Sequence, residues 1–286
     1  MNAITIIFII FGAFLTMGII FIISYFRKMI NNSVYFQIPG MDSIKVIKDI
    51  SYGSDPLNKM DIYLPKDYDN SKKYPAVIFL SGDVYSFMAS GVKNWQLYQE
   101  YGKILAASGF VAITFNRRMS PGFSLLNESF DDIKALCDTV KNRAVEWSID
   151  TTAISLWSFS GGGIYLGKVI KVLPFKSIVC FYCLFEPMQF RKYIAKKISD
   201  DTLKAFSFLQ YTSERNPLPP IFIAKAGKDR AMINTSLDDF VKQLTARKID
   251  FSLEFHDQGK HGFDVLNKDD RTGEIIGNAL KFLEKN

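Results

Sequence analysis

The chain has 286 residues, 48% hydrophobic and 22% charged, with 14% aromatic, 18 Gly and 10 Pro. That composition excludes collagen-like, low-complexity and disordered chains, which carry far less apolar material or far more Gly and Pro. The net charge of +6 comes from 35 Lys and Arg against 29 Asp and Glu spread along the chain, and no nucleic-acid partner is expected; a nucleic-acid binder gathers its cations into a patch with stacking aromatics.

From Ala3 to Phe26 no side chain is charged, and Ile, Phe, Leu and Met dominate. About 24 residues at roughly 1.5 Å each reach about 36 Å, enough to cross a hydrocarbon core of about 30 Å. Residues 1–30 are therefore expected to be a transmembrane anchor. A cleaved signal peptide is the competing reading; it calls for a cationic start and a shorter apolar run. Arg27, Lys28, Lys45 and Lys48 follow the run. The expectation is a single-pass membrane location with the C-terminal bulk on the cytoplasmic side.

Residues 31–286 read as one domain in which strands and helices alternate. Lys59 to Leu64, Ala76 to Leu80, Phe110 to Phe115, Ala153 to Trp157, Ile178 to Phe185, Ile221 to Ala226 and Phe251 to Phe255 are short, apolar and β-rich. Between them, Trp95 to Ala107, Phe130 to Trp147, Gly162 to Val172, Asp238 to Ala246 and Glu274 to Leu283 have helical spacing. Apolar strands alternating with amphipathic helices predict a mostly parallel, doubly wound α/β sheet covered on both faces. Residues 187–215 break the rhythm and are expected to form a small helical cap insert. Its Met188, Phe190, Tyr193 and Phe206 are expected to be cap core rather than pocket lining. Three cysteines cannot build a disulfide framework, and with two scattered histidines they make a poor zinc site. Cys180 and Cys183 form a Cys-x-x-Cys inside an apolar run, where buried thiols are expected rather than redox chemistry, which needs an exposed, electropositive setting.

The segment Ala153–Gly163 carries the chemistry. An apolar strand enters Ser-x-Ser-x-Gly and runs straight into a helix, the context of a nucleophile elbow. Ser160 would stand on a sharp turn with its hydroxyl above the sheet edge. Ser158 and Gly162 supply the small residues needed two positions to either side. The two histidines are His256 and His261. His256 ends a strand and is read as structural, whereas His261 lies in a Gly-flanked loop after the last strand. Asp229 follows another strand and is the acid candidate. Asp257 and Asp264, beside the histidines, are read as solvated or capping groups. The order Ser160, Asp229, His261 is that of a Ser-Asp-His hydrolase. Amides at Gly161 and in the turn Gly82–Asp83 are candidates for the oxyanion hole.

These residues resemble the α/β-hydrolase fold serine esterases of the acetyl esterase, carboxylesterase and lipase-like group. That group is related to dienelactone hydrolases and to the prolyl oligopeptidase catalytic domain. The matching pieces are Met60–Pro65, Phe79–Asp83, Arg118–Pro121, Asp131–Ile133, Trp157–Gly162, Gly227–Asp229 and Gly259–Gly262, in order from about Val46 to the C-terminus. The resemblance implies Ser160 as nucleophile, His261 as general base, Asp229 as its orienter, and oxyanion donors at Gly161 and Gly82–Asp83. It implies a carboxylic ester as small-molecule substrate, with no cofactor and no metal, and the anchor makes an amphiphilic ester plausible. Two departures stand out: Ser158 where the group has Gly, and Ser81-Gly82-Asp83 where it has His-Gly-Gly. A carboxylate there opposes an oxyanion unless it points away. A peptidase of prolyl oligopeptidase type and a non-catalytic binding module are the alternatives.

Overall fold

The computed structural model describes residues 10–12, 15–18, 20, 24, 27–28, 30–211 and 218–286. Eight strands form one sheet: β1 (Val46–Ser51), β2 (Lys59–Tyr63), β3 (Tyr74–Leu80), β4 (Val111–Phe115), β5 (Ile149–Phe159), β6 (Ile178–Phe181), β7 (Ile221–Ala226) and β8 (Phe251–His256). Their order is β1-β2-β4-β3-β5-β6-β7-β8. β1 and β2 run antiparallel to their neighbours, and every pairing from β4 through β3 to β8 is parallel. This is the α/β-hydrolase architecture.

Helices cover both faces, as a sheet apolar on both sides requires. In β5, Ile154 and Leu156 face one core while Trp157 and Phe159 face the other, following the two-residue period of a strand. Helix α1 (Gln96–Ala107) and the C-terminal helix α2 (Asp270–Lys285) cover the second face through Tyr101, Ile104, Ile276 and Ala279. The first face is covered by the helices Leu126–Asn142 and Ala231–Ala246, through Leu136, Val140, Leu237 and Phe240. Trp157 packs between Tyr101 at 4.9 Å and Phe181 at 5.1 Å, ring centre to ring centre. The result is an aromatic core directly beneath the end of β5.

The expected membrane anchor requires correction. No helix among the described residues is long and apolar enough to cross a membrane. Most of the run from residue 1 to 30 lies outside the described residues. The single-pass location, the cytoplasmic orientation and the partnership with a membrane rested on that helix and fall with it.

Elsewhere the differences are local. β1 was missed because its sequence, Val-Ile-Lys-Asp-Ile-Ser, is half polar and partly exposed at the sheet edge. Residues 187–211 form a 3-10 helix at Pro187–Tyr193 and short α-helices at Asp200–Ala205 and Phe208–Tyr211. The two ends of this segment are tied by Glu186, which accepts from Ser207 Oγ at 2.5 Å and the Leu209 amide at 3.0 Å. Phe190 and Phe206 are core, whereas Met188 and Tyr193 are exposed. Cys137, Cys180 and Cys183 are free and buried.

Candidate active site

The parallel strands β3, β5, β6, β7 and β8 lie side by side in the sheet, and the loops after β3, β5, β7 and β8 carry the site. β5 hands the chain to Ser160, whose φ is +51°, a left-handed value that costs a non-glycine residue strain. The turn stays open because its neighbours are small. A side chain at Gly162 would collide with the Leu80 carbonyl, and one at Gly82 would lie 2.9 Å from the Gly161 amide. The turns after β3 and β5 therefore nearly touch.

The loops after β7 and β8 are braced against each other. The Gly227 amide donates to the His256 carbonyl and the Lys228 amide to the Gly259 carbonyl, both at 2.8 Å. This bracing sets Asp229 on one loop opposite His261 on the other. His261 Nδ1 lies 2.6 Å from Asp229 Oδ2, and its Nε2 lies 2.8 Å from Ser160 Oγ. An ionised carboxylate only accepts, so Nδ1 carries the hydrogen and Nε2 accepts from the hydroxyl. The Asp229 side chain is 1% exposed and the imidazole 13%. Asp229 Oδ1 also accepts from the Arg230 amide at 2.7 Å. Behind the imidazole, the Tyr182 ring packs 4.8 Å away, centre to centre.

Asp83 answers the problem its sequence raised. Its carboxylate turns inward, where Oδ1 accepts from Arg117 Nη1 at 2.9 Å and from the Tyr165 hydroxyl at 2.8 Å. Burial alone would lower the Arg117 pKa; the Asp83 carboxylate and Tyr165 outweigh it, so the guanidinium is held charged. The Asp83 carboxylate is thus paired with Arg117, and Gly82, Asp83 and Val84 border the pocket beside Ser160. Ser158 is fully buried and fits against Gly162. Sequence reasoning missed Arg117; the only signal was the acid at position 83 that needed a partner.

The other acids and the second histidine stand apart. His256 is buried, with Nε2 3.0 Å from Asp269 and 3.1 Å from Thr272 Oγ1. Asp257 is exposed and accepts from the Gln258 side chain. Asp264, read from the sequence as a solvated or capping group, is fully buried and accepts from Tyr182 at 2.8 Å and Tyr101 at 3.2 Å. Tyrosine hydroxyls from two distant elements supply the donors that make its burial tolerable.

Beside Ser160 opens a pocket of about 560 Å³ whose walls include Trp95, Tyr98, Phe159 and Tyr182.

Residues 60–169 match the family model BD-FAE. Among solved structures, esterase B from Lactobacillus rhamnosis superposes with a TM-score of 0.67 at 16% identity, over 87% of each chain. A truncated carbohydrate esterase from gut microbiota gives 0.67 at 17% identity, over 87% of this chain and all of that one. Thermogutta terrifontis esterase 2 gives 0.65 at 19% identity, over 86% and 96%. The chain has the α/β-hydrolase fold of the serine esterases. A curated relative from Oryza sativa subsp. japonica, "Probable isoprenylcysteine alpha-carbonyl methylesterase ICME", is 29% identical over 101 residues. That match spans 34% of this α/β-hydrolase and 23% of the relative.

Proposed function

We propose that this α/β-hydrolase cleaves carboxylic esters through an acyl-enzyme formed on Ser160. The observation that carries the reading is the unbroken chain of hydrogen bonds from the Ser160 hydroxyl through His261 to the buried Asp229. Ser160 Oγ attacks the ester carbonyl as His261 Nε2 takes its proton. Asp229 holds Nδ1–H and steadies the imidazolium that forms. The amides of Gly161 and the Gly82–Asp83 turn receive the tetrahedral oxygen, a role supported by the close approach of the two turns and by the pairing of the Asp83 carboxylate with Arg117. His261 returns the proton to the leaving alcohol, and water activated by the same ring releases the acid.

Ester rather than peptide cleavage is favoured by the similar solved structures, which are esterases. One of them, Thermogutta terrifontis esterase 2, is phosphorylated by paraoxon. The test is hydrolysis of p-nitrophenyl esters and matched anilides by wild type and Ser160→Ala. Ester turnover that falls by about 10⁴-fold or more in the variant supports the reading. Faster cleavage of the anilides, or a fully active variant, contradicts it.

A further inference from the structure

The residues around the imidazole and its carboxylate are cationic in a way that the hydrolytic chemistry does not use. Asp229 is flanked by Lys228 and Arg230, and His261 is preceded by Lys260. All three cations border the same pocket as Ser160, and their side chains are exposed. Acidic groups nearby offset them only in part. Asp229 Oδ1 lies 3.8 Å from Arg230 Nε while its other oxygen is engaged with His261, Asp83 is paired with Arg117, and the exposed Asp257 carboxylate interacts with Lys228, so two acids face three cations. The same pocket is also lined by Trp95, Tyr98 and Phe159, which are aromatic and uncharged. A cleft with a low-dielectric wall and a rim of one sign concentrates ligands of the other sign.

Resting on the ester-hydrolase reading, we propose that this pocket selects esters whose apolar or aromatic body carries an anionic group, a carboxylate or a phosphate. The body lies against Trp95, Tyr98 and Phe159, and the anion meets Lys228, Arg230 and Lys260. The ester bond between them stays at Ser160. The cations are solvated, so each contributes modestly, and selection comes from their convergence on one rim.

The test uses two matched substrate pairs on the full chain. 4-Acetoxybenzoate is compared with methyl 4-acetoxybenzoate, and mono-4-nitrophenyl adipate with 4-nitrophenyl hexanoate. The expected result is a higher kcat/KM for the anionic member of at least one pair, by roughly fivefold to thirtyfold at low salt. That ratio is expected to shrink at high ionic strength and in the double variant Lys228→Gln/Lys260→Gln. Lys242→Gln, a cation on the helix Ala231–Ala246 away from the pocket, is expected to keep it. Preference for the neutral member in both pairs, or a ratio indifferent to salt and to the double variant, overturns the proposal. Calorimetric binding of 4-acetoxybenzoate and its methyl ester to Ser160→Ala separates the two readings. Tighter binding of the anion without turnover by wild type would sink ester hydrolysis while leaving anion selection standing. Tighter binding of the neutral ester would sink anion selection.

Discussion

At the scale of single residues, the site is decided by what surrounds each reactive atom. Asp229 is buried, receives the Arg230 amide, and spends its second oxygen on His261. An amide side chain in its place would fit but would favour the other imidazole tautomer. Asp229→Asn is therefore expected to lower kcat by about 10⁴-fold with little change in KM, measured by steady-state ester hydrolysis. A drop of only a few-fold would remove Asp229 from its role. The convergent residues were legible because Gly and small side chains punctuate the ends of apolar strands. Arg117 was not, since nothing local to a sequence marks a cation as fully buried. Asp264 was misread for the same reason: its donors, Tyr101 and Tyr182, come from 163 and 82 residues away.

At the scale of elements, the strands were legible where both faces are buried and faint where one is exposed. β5 extends from Ile149 to Phe159, four residues before the expected start, because Asp150, Thr151 and Thr152 are polar and incompletely buried and so carry no apolar strand signal. The turn at Ser160–Tyr165 is 3-10 rather than α-helical, and the α-helix proper begins at Leu166. Three successive glycines there favour the tighter turn and bring the strand and helix backbones together. Cys180 lies within β6 and Cys183 just beyond it, both buried in the core. Burial pushes the Cys180 thiol well above its ordinary value and the Cys137 thiol up to about 12. Thiolate is the reactive form, so the folded protein is expected to resist a thiol reagent and to label at three positions only on unfolding. Rapid labelling of the native protein, followed by mass spectrometry, would contradict this packing.

At the scale of the whole molecule, the membrane helix expected of the first thirty residues is not found, since no helix among the described residues is long and apolar enough to cross a membrane, and most of that run lies outside them. The α/β alternation was more dependable, since it repeats over many elements and each repeat constrains the next. Stability should carry the imprint of Asp264, whose pKa is raised to about 6, chiefly by burial. The folded state holds that proton more tightly than the unfolded chain does. Its contribution is therefore full below the ordinary value of 3.8 and is lost as pH rises through about 6. Asp264→Asn cannot ionise. Relative to wild type it is expected to gain on the order of 3 kcal/mol between about pH 4 and about pH 7, measured by urea unfolding. A difference that stays constant across that range would show that the buried carboxyl does not titrate there.

The most direct measurement is the site of covalent modification by an organophosphate such as paraoxon, mapped by peptide mass spectrometry. One adduct on the peptide containing Ser160 is expected in wild type, with none on that peptide in Ser160→Ala and a much slower reaction in His261→Ala. A folded wild-type protein that takes no adduct, or takes it on another residue at the same rate in all three proteins, would contradict the account.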